Sequence, residues 1–391
     1  MLNRKIIVPV LIILLSCQYL FAQLPEVKPE QVSVSSTQLA LMDSVIEEAI
    51  RDRRLPGAVV LAGRKGKIVW RKTYGARAVE PAREPMTADT IFDLASLTKV
   101  VATATSIMIL VERGKLRLTD PITEYIPELK GEGRERITIE QLLIHRSGYA
   151  PDFDLREQWT GYDEAIKRLI KEPLRSAPGT RFVYSDINYI TLGEVVNRVS
   201  GLTLDRFAAQ NIFTPLGMRD TGFRPAVSLR SRIAPTEKRR GQLNYLGDSS
   251  VNAGSDADVW LRGQVHDPTS YRMNGVAGHA GLFSTANDLS IYCQMILNGG
   301  HYRGVRVLSP ASVAEMTRPR LVNSSGATRG LGFDINSSFS SNRGDLFPLG
   351  SFGHTGFTGT SMWMDPASEI RMVKAMLVPC AGALHRSWRE R

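Results

Sequence analysis

Residues 36–54 carry Leu39, Met42, Val45, Ile46, Ala49 and Ile50 at helical spacing, with Gly57 following, which predicts an amphipathic helix. Residues 58–62 and 68–74 are short apolar runs around Lys65-Gly66, which predicts two strands joined by a tight turn. From Ser96 to Arg113, the spacing of Val100, Val101, Ala104, Ile107, Met108 and Leu110 predicts a buried helix, with Gly114 in the left-handed position just past its end. The middle of the chain is helical and loop-rich. Thr138 and Gln141 form a capping box ahead of Leu142-Leu143-Ile144, and further helices are predicted over 163–171 and over 188–200, the latter stopped by Gly201. Residues 224–275 keep no steady period and are rich in Gly, Ser, Asn and Asp, which predicts one long loop lining a site. Helices return over 286–297 and 310–317, and strands over 332–335, 360–364 and 370–377. Strands open and close the chain with helices between them. This order predicts a sheet made from both ends of the chain, carrying a helical insertion.

The chain has 391 residues, 43% hydrophobic and 23% charged, an ordinary globular balance with no internal repeat. The net charge of +10 is scattered, and no basic run is long enough to track phosphates. That pattern argues against a nucleic-acid partner. It leaves open either a solvated basic surface or a home facing cell wall or membrane. Arg4 and Lys5 precede an apolar run over 6–15 that is too short to span a bilayer and has the form of a secretory leader. Residues 1–22 are read as a signal peptide cleaved after Ala22, giving a periplasmic or secreted product. The alternative is a membrane-anchored lipoprotein, because Leu14-Leu15-Ser16-Cys17 resembles a bacterial lipobox. Cleavage leaves Cys293 and Cys380, too few for a disulfide framework, and Cys293 reads as a small core residue.

Three short segments carry candidate chemistry. In Ser96-Leu97-Thr98-Lys99, helical spacing puts the hydroxyl and the amine on one face. A serine hydroxyl needs a base to become a nucleophile, and a lysine of lowered pKa can provide one. Alone, the pair reads equally as a helix cap and a surface lysine. In Tyr184-Ser185-Asp186, a tyrosine beside that lysine can move protons; the plain alternative is an aromatic packed at a helix start. In His354-Thr355-Gly356, ahead of Phe357, the glycine permits close backbone approach and a neighbouring amide can serve an oxyanion; the alternative is a strand-entry turn.

In this order the three segments resemble the active-site serine β-lactamases and penicillin-binding proteins, particularly the class C β-lactamase and related esterase branch. The surroundings resemble it too: Phe92-Asp93-Leu94-Ala95, Leu142-Leu143-Ile144-His145-Arg146-Ser147-Gly148, Pro178-Gly179-Thr180, Pro215-Leu216-Gly217-Met218 and Ala280-Gly281-Leu282-Phe283-Ser284-Thr285. The resemblance covers about 35–378, which it implies to be one serine hydrolase domain: a sheet part from 35–95 and 280–378, and a helical and loop part over 96–279. It implies that Ser96 forms the acyl-enzyme, that Lys99 and Tyr184 handle the protons, and that Asp186, His354, Thr355, Gly356 and Phe357 meet the substrate. The amides of Ser96 and Phe357 would form the oxyanion hole. It implies an α+β fold (α/β sandwich) of the β-lactamase/transpeptidase-like kind, an antiparallel sheet flanked by helices with an all-helical region, and no cofactor.

Two departures bear on substrate. His354 stands where the β-lactamases have a lysine, and a histidine that is neutral near pH 7 weakens the demand for a substrate carboxylate. Asp186 stands where the family often has asparagine and would stabilise Lys99 as an ammonium, shifting the base role toward Tyr184. His266-Asp267-Pro268 and Gly278-His279-Ala280-Gly281 resemble a subgroup linked to cell-wall peptides. His279 is taken as substrate-facing, with hydrogen bonding inside the loop as the alternative. Neither His266 nor His279 has the paired spacing of a metal site. Residues 379–391 lack the amphipathic helix with which relatives end. The expected function is hydrolysis of a cell-wall D-alanyl peptide, a β-lactam or a small ester. The alternative is a penicillin-binding sensor or wall-binding module that does not turn over. An α/β-hydrolase reading fails for want of a Gly-x-Ser-x-Gly elbow.

Overall fold

In the computed structural model the described residues are 24–239 and 259–376; the leader with Cys17, the tail over 379–391 with Cys380, and residues 240–258 of the long loop lie outside them. The sheet is founded on a hairpin, Gly57–Arg64 against Lys67–Ala78, turned at Lys65-Gly66. Gly57–Arg64 is buried on both faces. Val59 and Leu61 enter the main core, while Ala58 and Val60 meet Met42, Ile46 and Ile50 of the helix Ser36–Arg51. The apolar stripe of that helix covers the outer face of the sheet, although Leu41 and Val45 on its flank stay exposed. Val45 therefore leaves the face on which the periodicity places it.

The last described strand lies beside the first. Ile370–Met376 pairs antiparallel with Gly57–Arg64, Val373 opposite Leu61. Among the described residues the sheet has nine strands. It runs outward from Gly57–Arg64 through Ile370–Met376, Thr360–Asp365, Phe352–Thr355 and Asp334–Asn336 to two short edge strands, and on the other side through Lys67–Ala78 to Glu84–Pro85. The sheet is thus built from both ends of the chain. Its inner face packs on the helix Ala286–Leu297, where buried Arg371 donates from Nε to Ser290 Oγ at 2.9 Å and from Nη1 to Gln294 Oε1. Burial pulls the Arg371 pKa down to about 10, while these acceptors satisfy the guanidinium.

The rest of the core is helical. A wide π-type turn over Lys99–Ala104 continues as the helix Thr105–Glu112 and packs against Asp186–Ser200. The long loop read over 224–275 is corrected. A 3₁₀ turn spans Val227–Arg232, a strand pair joins Lys238–Arg239 to Val259–Trp260, and a short helix runs Pro268–Arg272. These pieces are too short to show a period, which is why the pattern gave no sign of them. His354 and Thr355 likewise lie within the strand Phe352–Thr355 rather than in a turn ahead of one.

The capping box is formed as read: Thr138 Oγ1 accepts from the Gln141 amide at 3.2 Å, and Gln141 Oε1 accepts from the Thr138 amide at 3.1 Å. Thr138→Ala is expected to lower unfolding free energy by about 1 kcal/mol, read as a shift in urea midpoint at constant slope.

Candidate active site

The nucleophile turn is set by a buried carboxylate. Asp93 ends the strand Phe92–Asp93; its Oδ1 accepts from the Ala95 amide at 2.9 Å and its Oδ2 from the His266 amide at 2.7 Å. Ala95 is held at φ 45°, a left-handed conformation unusual for a residue with a side chain, and Ser96 follows it at the head of the buried helix. Ser96 is half-buried, and Lys99 beside it has no exposed surface.

The ammonium of Lys99 donates to Ser96 Oγ at 3.1 Å and to the His279 carbonyl at 3.1 Å, and it is ion-paired with Asp186, whose Oδ1 lies 2.7 Å away. The Tyr184 phenol borders the same ammonium, its ring centroid 4.9 Å from Nζ. Burial alone would depress the lysine pKa, but Asp186 and Tyr184 outweigh it and hold the group above its ordinary value, charged at neutral pH. Tyr184 sits on an irregular segment just ahead of the helix Asp186–Ser200, so Asp186 enters the site from that helix's first turn. Ser96, Lys99, Tyr184 and Asp186 thus meet at one point.

The sheet supplies the opposite wall. The strand Phe352–Thr355 ends in a turn whose Thr358 Oγ1 donates to the Asp93 carbonyl at 2.7 Å, and Thr360 Oγ1 donates to the Leu94 carbonyl at 3.2 Å. A Cβ on Gly356 would lie 2.4 Å from the Leu94 carbonyl oxygen, so only glycine lets this turn close on the nucleophile. Thr355 is half-buried and Phe357 is exposed beside it, its ring stacked on His266 at 5.5 Å between centroids. His354 is buried, its ring 6.2 Å from that of Tyr184 and its Nδ1 against the Thr355 carbonyl at 2.8 Å. Burial and the nearby Arg329 guanidinium push the His354 pKa well below its ordinary value, so the ring is neutral.

His279 departs from its predicted place and is a correction. Its side chain is 1% exposed, with Nε2 on Asp267 Oδ1 at 2.7 Å; only its carbonyl reaches Lys99. The close packing comes from Gly278, where a Cβ would fall 1.8 Å from the Tyr189 carbonyl oxygen, and from Thr103 Oγ1, which donates to the Gly278 carbonyl at 2.6 Å. Burial would depress His279, but the Asp267 and Asp186 carboxylates raise it. Asp152, near both of those carboxylates, is raised to about 7 by burial and by their charge. The donor atoms of Asp186, Asp267 and His279 lie within 4.8 Å of one another, but Lys99 engages the first while the other two engage each other.

Sequence reasoning missed Arg329. It is fully buried, 3.4 Å from Asp334, and its charge bears on His354; it belongs to no motif and reaches the site only through sheet pairing. The role of Asp93 was missed as well, although the residue stands next to the nucleophile segment.

A serine, a buried lysine and a tyrosine brought together beside a sheet strand that is followed by a glycine define a serine acyl-transfer site. A model of the Beta-lactamase family matches residues 42–377, and the chain belongs to that family as a serine hydrolase. A protein of Salmonella agona (strain SL483) bearing the name "Putative D-alanyl-D-alanine carboxypeptidase" is 32% identical over 372 residues, covering 88% of this chain and 84% of its own. Among solved structures, a class C beta-lactamase aligns with TM-score 0.69 and 20% identity, over 91% of this chain and 95% of its own. A penicillin-binding protein homolog from Caulobacter crescentus aligns with TM-score 0.68 and 23% identity, over 86% of this chain and 91% of its own. Both structures share the β-lactamase/transpeptidase-like fold.

Gly356→Ala is expected to force the strand away from the nucleophile turn. The acylation rate falls by about a hundredfold, measured by burst kinetics with thermal melting as the control for folding.

Proposed function

We propose that this chain is an exported hydrolase that opens acyl substrates through a covalent ester on Ser96, with cell-wall D-alanyl peptides as its substrate class. The observation that carries the acyl-enzyme chemistry is the contact of Ser96 Oγ with Lys99 Nζ at 3.1 Å, with Tyr184 beside the same ammonium. Tyr184, acting as a phenolate paired with the protonated Lys99, takes the Ser96 proton as Oγ attacks the carbonyl carbon and becomes the neutral phenol. The oxyanion is met by the amides of Ser96 and Phe357, which the closure of Gly356 on Leu94 draws toward one another. Tyr184 then returns its proton to the leaving group, and water attacks the ester by the reverse path. The curated relatives support the D-alanyl peptide, since that is the bond their name describes. Export is supported by the charged and apolar pattern of residues 1–22.

A second reading, hydrolysis of small esters, is favoured by His354. A neutral imidazole offers no cation for a substrate carboxylate, which β-lactams and peptide C-termini carry and simple esters lack. Purified protein assayed in parallel on nitrocefin, p-nitrophenyl acetate and a D-alanyl-D-alanine peptide ranks the readings by kcat/KM. Turnover is expected to be highest on the peptide; ester turnover alone would leave the second reading. Ser96→Ala is expected to abolish labelling by a fluorophosphonate probe and to lower hydrolysis by roughly a thousandfold or more. A stable adduct without turnover would identify a sensor instead.

The charge state of Lys99 has its own test. Asp186 raises the lysine pKa, so Asp186→Asn removes the larger raising charge and leaves burial, which lowers it, opposed by Tyr184 alone. If the ammonium is the working form, the variant deprotonates at lower pH and the alkaline limb of kcat/KM moves down. If neutral Lys99 were the base, the acid limb would move down instead and activity at low pH would rise.

A further inference from the structure

We propose that His145 is the positioning residue of Tyr184: it fixes the backbone on both sides of the tyrosine and the plane of its ring, and so aims the phenol at Ser96 and Lys99. The inference rests on the role given to Tyr184 above. The Leu142–Gly148 segment stands out in the sequence, and nothing in the catalytic chemistry uses its histidine.

Tyr184 belongs to residues 181–185, a stretch in neither helix nor strand. No regular ladder therefore holds the phenol in place, and its aim has to come from side contacts. His145 provides three. Its carbonyl accepts from the Val183 amide at 3.0 Å. Its Nδ1 accepts from the Ser185 amide at 3.0 Å. Its ring stacks on Tyr184 with centroids 4.4 Å apart and planes at 28°. One residue thus binds the neighbour before the tyrosine, the neighbour after it and the tyrosine itself.

The imidazole is fixed in turn. Tyr189 lies 5.1 Å away between ring centroids and donates to the Leu143 carbonyl at 2.9 Å. Ser147 Oγ donates to Asn188 Oδ1, which turns the Asn188 amide nitrogen to within 3.4 Å of Nδ1. Because Nδ1 accepts from a backbone N–H it carries no proton, so the ring is the neutral Nε2–H tautomer. Burial and the charges of Arg329 and Lys99 oppose a further proton there. A charged ring against Tyr184 would compete with Lys99 for the phenolate; a neutral one orients the phenol and leaves the charge to Lys99. His145 holds φ 60°, a left-handed conformation kept by a residue that is not glycine, and such strain is tolerated where the side chain is needed. Tyr184 also meets Phe339, a tilted pair with centroids 4.8 Å apart and planes at 30°.

A purely structural histidine and a positioning one part company in a double-mutant cycle with Tyr184→Phe. The rates read are kcat and KM on p-nitrophenyl acetate and the labelling of Ser96 by a fluorophosphonate probe, with the full chain. His145→Ala is expected to lower kcat and labelling by roughly tenfold or more while KM moves less than about twofold. In the Tyr184→Phe background the same change is expected to cost less than about twofold, because the group being aimed is gone. His145→Gln keeps an acceptor for the Ser185 amide and is expected to recover part of the loss; it replaces alanine in the cycle if the alanine variant does not fold. Equal losses in both backgrounds, or a rise in KM at unchanged kcat, overturn the positioning role and leave the acyl-enzyme chemistry standing. A Tyr184→Phe variant of undiminished kcat overturns the proton-transfer role of Tyr184, and this inference with it.

Discussion

The site depends on one buried charge. Lys99 has no exposed surface, yet it is held as an ammonium because it is ion-paired with Asp186 at 2.7 Å and donates to two acceptors, Ser96 Oγ and the His279 carbonyl. A buried cation is costly unless it is paired and hydrogen-bonded. Each partner comes from a different part of the chain: the nucleophile turn, the start of the helix Asp186–Ser200 and the loop at Gly278-His279. Their convergence satisfies the lysine and, in the same step, assembles the hydroxyl and the phenol. Such a pair is weak support for stability; in the proposed mechanism its value is that it sets Lys99 as the charged group and leaves Tyr184 to move the proton.

Strained backbone is part of the frame around this charge. Ala95 and His145 both hold left-handed φ, at 45° and 60°, and Gly278 and Gly356 make approaches that no side chain permits. The surroundings over-determine these conformations. Asp93 fastens two amides at the turn, while Thr358 and Thr360 fasten two carbonyls. Reacting groups must be preorganised before substrate arrives, and rigid connections to strand and helix are what supply that. The substitution of histidine for lysine at position 354 fits the same logic. A buried ring that stays neutral adds no further cation to the wall beside Tyr184, where the Arg329 guanidinium already lies 5.8 Å from the ring centroid.

Much of this was legible in the linear pattern because it depends on local rules. The hairpin, the first helix, the capping box at Thr138 and the glycine stops follow from periodicity and turn chemistry, and Ser96 with Lys99 follows from helical spacing. What failed did so for physical reasons. The pieces of 227–232 and 268–272 are single turns with no period to read, and Val45 sits at the edge of a stripe whose width is set by the sheet beneath. His279 looked like a substrate-facing residue because composition cannot tell which way a loop histidine turns.

By itself the sequence determined the elements, the ordered set of Ser96, Lys99, Tyr184 and His354, and the family. It determined too that Asp186 would bear on Lys99, since residue types carry their charge wherever they lie. Only the tertiary structure decided that the Lys99 ammonium is fully enclosed, that His279 turns away to Asp267, and that Arg329 presses on His354 from another strand. These outcomes depend on distance, burial and direction between residues far apart in the chain. Electrostatic strength is set by those quantities and not by order along the backbone.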